Sequence, residues 1–80
     1  MEVSQMDKAI RNICRVLQAE AEAVKTYTEC MKQATDADAE RTFAMNRLDS
    51  MDHIQSLTIE LTKLVSGTVN DELMDGEAHE

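Results

Sequence analysis

The chain has 80 residues, with 16 acidic and 8 basic side chains, and a formal net charge of −8. This balance argues against nucleic acid and anionic membranes as partners, and the length allows one domain at most. The chain has no run of about 18 apolar residues, so no membrane span is predicted. It has no basic segment followed by an apolar stretch near residue 1, so no signal peptide is predicted. We therefore expect a cytoplasmic protein, with Cys14 and Cys30 reduced and packed as small apolar residues.

The first predicted element is a helix from about Gln5 to Gln33. Ser4, with Asp7 three residues later, resembles a capping box at its start, and the chain contains no proline to interrupt it. Apolar residues recur at alternating intervals of three and four, the spacing of a helical bundle or coiled coil. They are Ile10, Ile13, Leu17, Val24, Tyr27 and Met31.

Glu20 interrupts this apolar stripe. At about 100° per residue it lies between Leu17 and Val24, whereas Glu22 points to solvent. A carboxylate in an apolar seam costs several kcal/mol unless it is paired or bound to a cation. Two interpretations stay open: a seam glutamate that reaches solvent or sets the oligomer register, or a metal ligand, which we favour.

A turn is predicted at residues 35–38, the only central cluster of turn and cap residues. A second helix then runs from about Asp38 to Val65, and Ser66 and Gly67 are expected to end it. Residues 1–67 would form a helical hairpin. Residues 68–80 would form a short third helix, capped by Asn70, and a partly disordered acidic tail.

The second helix has one main apolar stripe and one smaller patch. His53 falls at the edge of the main stripe and Ser50 falls inside it. Met45, Leu48 and Ile59 form the patch on nearly the opposite side, which indicates either further packing or scattered surface residues. The main stripe consists of Phe43, Met51, Ile54, Leu57, Leu61, Leu64 and Val65.

Two helices joined by a short turn form an antiparallel hairpin, which has one layer and encloses no core. Two hairpins together make a four-helix bundle. The predicted fold is therefore all-α, and the chain is expected to be a homodimer or a higher homo-oligomer.

Glu20 and His53 lie at equal distances before and after the turn, so they should meet at the same height of the hairpin. Doubling this pair in a dimer gives two carboxylates and two imidazoles, a ligand set used by di-iron carboxylate sites.

These positions resemble the ferritin-like superfamily, and most closely the short two-helix encapsulated ferritins and rubrerythrin-like proteins. The resemblance covers about residues 10–65 and rests on Glu20, Tyr27 seven residues later, and residues 46–54 (NRLDSMDHI). It implies iron, or another divalent metal such as zinc or manganese, bound across a dimer interface by Glu20 and His53. It also implies ferroxidase activity, with Tyr27 near the metals.

One position departs from the family pattern, because Ser50 stands where the second-helix glutamate would be. Asp49 is the candidate substitute ligand. The site could hold two metals weakly, hold one metal, or hold none; the last case leaves a non-enzymatic oligomeric helical interaction module, in which Glu20 pairs with His53. Encapsulated ferritins also carry a C-terminal peptide that docks in a protein shell, and residues 71–80 do not resemble it.

Overall fold

The protein is an antiparallel hairpin of two helices. A computed structural model describes the backbone of residues 4–77 and the side chains of residues 4–67. Helix α1 spans Gln5–Gln33 and helix α2 spans Ala37–Glu77. The two helices pack against each other along the shared part of their length. The expected tail at residues 78–80, and the side chains beyond Gly67, lie outside the described residues.

The starts of both helices are set by side-chain caps. Ser4 Oγ accepts a hydrogen bond from the Asp7 backbone N–H at 3.1 Å, as the capping pattern predicted. Asp36 Oδ1 accepts one from the Ala39 N–H at 2.8 Å, so α2 begins at Ala37, close to the predicted start. The turn between the helices therefore occupies residues 34–36.

The predicted end of the second helix is wrong. Helix α2 continues through Ser66 and Gly67 to Glu77, so no separate third helix begins near Asn70. No glycine of the described residues has a positive φ, which a left-handed C-terminal cap would need. One glycine inside a helix costs about 1 kcal/mol, which is too little to end a helix when no proline follows it.

The seam between the helices follows the predicted heptad spacing. All seven α1 positions, Glu20 included, are half-buried. On α2, the stripe prediction is confirmed for Phe43, Ile54, Leu57, Leu61 and Leu64. It is wrong for Met51 and Val65, which are 48% and 46% exposed, because both lie on the side of α2 that turns away from α1.

The hairpin is a single layer, only 12 Å along its thinnest axis, which is the diameter of one helix. Among the described residues no apolar side chain is buried, and Ser50, at 7% exposure, is the only buried polar one. Both cysteines are free and half-buried. None of the described helices is both long enough and apolar enough to cross a bilayer.

Candidate metal site

The two helices bring Glu20 and His53 into direct contact. Glu20 Oε2 lies 3.0 Å from His53 Nδ1, midway along the hairpin, as their equal distances from the turn predicted. With the proton on Nδ1, the imidazole donates to the carboxylate. The Glu20 side chain is 23% exposed and that of His53 is 63% exposed, so the pair lies at the edge of the seam and opens to one face of the hairpin.

The contact is also consistent with the geometry of a metal site. Carboxylate oxygen and imidazole nitrogen are ordinary ligands of iron and zinc, at about 2.0–2.2 Å from the metal. Two ligands at those distances stand about 3 Å apart, which is close to the separation of these two atoms without a metal. The pair therefore supplies two donors without a change of helix position.

One chain supplies only this pair. Among the described residues no group of three or more histidine, cysteine, aspartate or glutamate side chains is placed to hold a metal ion. Asp49 is exposed, and no hydrogen bond or ion pair joins it to Glu20 or His53. Since a structural zinc site needs four ligands and a catalytic one three, a single hairpin carries at most half of a site.

Ser50 and Tyr27 lie on the same two helices as the pair. Ser50 comes one helical turn before His53 and is buried, at 7% exposure. Tyr27 is half-buried on α1, two turns after Glu20. The structure therefore gathers Glu20, His53 and Ser50 in one layer and leaves Asp49 at the surface.

A second polar contact crosses the seam nearer the turn. Arg47 Nη1 donates to Thr28 Oγ1 at 3.2 Å, and the threonine hydroxyl in turn donates to the Val24 carbonyl at 2.9 Å. The sequence analysis missed this contact. The signal was available, because Thr28 lies seven residues before the predicted turn at residues 35–38 and Arg47 lies nine residues after it.

The structure also reveals a basic surface that the overall charge concealed. Lys8, Arg11 and Arg15, together with Asn12, line a shallow groove on α1. The sequence analysis treated the chain as lacking a basic patch. The spacing of three and four residues between these cations places them on one face of the helix, which a count of charges does not show.

Comparisons of the chain with protein-family profiles, with curated protein sequences and with solved structures found no match.

Proposed function

We propose that this chain is a ferritin-like metal-binding protein in which two hairpins form one metal site, with Fe²⁺ as the metal and as a substrate for oxidation. The observation that carries the proposal is the 3.0 Å contact between Glu20 Oε2 and His53 Nδ1, midway along the hairpin at the edge of the seam. Helix periodicity calls for an apolar side chain at Glu20, and an imidazole at the edge of the facing stripe meets the carboxylate found there.

A second copy is needed because the chain contributes two donors and the metal requires more. A two-fold axis close to this pair would place two carboxylates and two imidazoles around a common point, which is the di-iron ligand set without its two second-helix glutamates. The chain's own surface supports association, since the single layer leaves every described apolar side chain at least partly exposed.

Each residue has a definite task in this site. Glu20 is the carboxylate that chelates or bridges, and His53 is the terminal nitrogen ligand in its neutral form. Asp49, one turn before His53, is the second carboxylate if its side chain turns inward. Tyr27 would donate a hydrogen bond to a bound ligand. Bound iron would supply one-electron chemistry, with O₂ accepting the electrons.

The same contact also supports a second function, one that needs no metal. The hydrogen bond between Glu20 and His53 satisfies both side chains without a metal. Ser50 replaces the carboxylate that the ferritin-like pattern would place beside them. These two observations favour a non-enzymatic oligomeric helical module that keeps a polar layer for pairing specificity.

The test is an anaerobic titration of the purified protein with Fe²⁺, with Zn²⁺ and Mn²⁺ in parallel. Thermal unfolding and sedimentation report binding, and absorbance after admission of air reports oxidation. We expect saturation at about one or two metals per dimer, with a stabilisation of about 2.7 kcal/mol at a hundredfold excess over Kd. Oxidation faster than in buffer alone would support ferroxidase activity, and binding without oxidation would leave a metal-binding role only.

Glu20→Leu separates the two functions. In the metal site it removes the central carboxylate, so metal uptake and metal-dependent stabilisation should disappear. In the interaction module it replaces a half-buried charge by an apolar residue, so stability should rise and association should persist. Glu60→Leu is the matched control, because Glu60 is exposed on α2 and its carboxylate pairs with the exposed Lys63. Equal metal uptake by wild type and Glu20→Leu would sink the metal proposal.

Ser50→Glu tests the site by gain of function. It restores the Glu-x-x-His arrangement at a position that is only 7% exposed. Without metal the new carboxylate should destabilise the protein, because a charge at a buried position lacks a partner. The Ser50→Glu variant should bind the metal more tightly than the wild-type protein does. Destabilisation that no metal relieves would show that the polar layer does not accept a metal.

A further inference from the structure

The outer surface of α1 carries charges of opposite sign in its two halves. Five exposed residues fall within about 60° of each other on the side of α1 away from α2. The half near the start of the helix is basic and the half near the turn is acidic. We call these residues the outer stripe: Lys8, Arg11, Arg15, Glu22 and Glu29.

The charges of the outer stripe have little to pair with in their own chain. Among the described side chains, Lys8, Arg11, Arg15 and Glu22 form no ion pair. Glu29 contacts Lys32 at 3.7 Å, and both are exposed. Arg15 and Glu22 are two turns apart, about 10 Å along the axis, which is too far for contact within one helix.

We propose that a second copy of this chain packs on α1 in antiparallel orientation, aligned by the outer stripe. Lys8 and Glu29 are equally distant from a midpoint between residues 18 and 19, and so are Arg15 and Glu22. A two-fold axis at that midpoint sets Arg15 beside the partner's Glu22 and Lys8 beside the partner's Glu29. Such a contact is isologous, so each pair forms twice.

The opposite orientation is disfavoured by the same charges. In a parallel pair Arg15 would lie beside the partner's Arg15, and Glu22 beside the partner's Glu22. Two chains of charge −8 already repel each other at long range. The antiparallel orientation is the one in which local attraction opposes that repulsion, and charge complementarity of this kind fixes register more than affinity.

An uncovered apolar surface borders the outer stripe. Val16 is 45% exposed, Ala19 is exposed, and Ala23 is half-buried, and all three lie between the stripe and Glu20. Small side chains let two helices approach closely.

This pairing deepens the proposed function, and it rests on the assumption made there that two copies associate. Glu20 lies beside the midpoint of the stripe, so the antiparallel orientation brings both copies of Glu20 to nearly the same height. The site is incomplete without the partner's Glu20 and the partner's His53. The pairing itself requires no metal, so it can be tested with a chelator present.

The test uses Arg15→Glu and Glu22→Arg, measured by sedimentation equilibrium in the presence of EDTA. Each variant alone places like charges together twice, and we expect its dimer Kd to rise about tenfold. The two substitutions change the net charge in opposite directions, so overall repulsion cannot weaken both. An equimolar mixture of the two variants should form a heterodimer near wild-type affinity, because every stripe pair then has opposite signs.

Lys25→Glu is the control, since it makes the same change of charge on an exposed residue of α1 about a quarter turn from the stripe. We expect it to change the Kd less than about threefold. A mixture of the two variants that associates more tightly than wild type, while neither variant alone is weakened, would indicate the parallel orientation and overturn the proposal, because only then do residues 15 and 22 each face their own counterpart. A monomeric wild type, or two variants that associate like wild type, would also overturn it and leave the stripe to an unrelated partner. If the mixed variants form a heterodimer near wild-type affinity but the wild-type protein takes up no metal, only the proposed metal site is contradicted.

Discussion

The half of the seam near the chain ends and the half near the turn are built from different side chains. In the half near the chain ends, which we call the aliphatic half, both helices contribute isoleucine or leucine side chains. They are Ile10, Ile13, Leu17, Leu57, Leu61 and Leu64. The half near the turn, the polar half, keeps the half-buried Val24, Met31 and Phe43 and adds a set of polar side chains: Glu20, Tyr27, Thr28, Arg47, Ser50 and His53. The aliphatic half gains free energy from burial, whereas the polar half specifies which residues face each other, because hydrogen bonds require defined partners.

This contrast suggests that the two halves of the seam have different roles in the hairpin. Removal of apolar surface should destabilise the aliphatic half most, and removal of single polar contacts should have small effects on folding. Metal binding, if present, belongs to the polar half alone. The four predictions below test this division, from the largest expected effect to the smallest.

Leu57→Ala should lower the free energy of unfolding by about 2 kcal/mol, because Leu57 is half-buried in the aliphatic half. Urea unfolding at fixed protein concentration measures the change. Leu48→Ala is the matched control on the same helix, where the leucine is 57% exposed, and it should change stability by less than about 0.5 kcal/mol. Equal losses for the two variants would mean that Leu48 also lies in a buried interface.

Asp36→Ala should cost about 1 kcal/mol, since it removes the cap that accepts the Ala39 N–H at the start of α2. Asp36→Asn keeps the side-chain oxygen without the charge and should lose less. Circular dichroism during thermal unfolding measures both. Equal losses for the two variants would assign the effect to charge at the helix start and not to the hydrogen bond.

Gly67→Ala should stabilise the protein by about 0.5–1 kcal/mol. Gly67 lies inside α2, and a Cβ built on it meets nothing within 4 Å, so alanine gains its helix propensity without a clash. The unfolding midpoints of the variant and of the wild-type protein measure the change in stability. A loss of stability would show that the helix ends at Gly67 in a left-handed conformation, as the sequence alone suggests.

Thr28→Val should cost about 0.5 kcal/mol, because it keeps the shape of the side chain and removes the acceptor of the Arg47 hydrogen bond. Thr26→Val is the control: Thr26 is exposed and its hydroxyl contacts only the Glu22 carbonyl. A double-mutant cycle with Arg47→Met isolates the pair. A coupling near zero would mean that the contact only accompanies the packing of the helices.

The sequence was sufficient for most of the fold. The heptad spacing of α1, its cap at Ser4 and the position of the turn all follow from local rules, and the structure agrees with each. The contact of Glu20 with His53 also followed, because the turn sets the register of an antiparallel hairpin. The C-terminal end of α2 was not predicted, since glycine is compatible with both a helix interior and a helix end, and local composition cannot choose between them.

The candidate site was predictable only in part for a similar reason. Periodicity identified Glu20 and His53 as polar residues at one height, but not that Asp49 would remain at the surface. Nor did it show that Met51 and Val65 would turn away from α1. Those outcomes depend on the rotation of each helix about its own axis relative to the other helix. Side-chain packing sets this rotation, whereas the spacing of residues in the sequence defines it only to within several tens of degrees.

The amino-acid sequence by itself determined two long helices, an antiparallel hairpin and the pairing of one acid with one imidazole, because helix periodicity and chain connectivity act locally. Only the structure showed that α2 continues past Gly67, and only the packing of the two helices decided that Ser50 is buried and that the face carrying Lys8, Arg11 and Arg15 stays exposed. The physical reason is that burial is a property of pairs of surfaces. A residue's environment is decided by what packs against it, and in this hairpin one face of each helix has no intrachain partner.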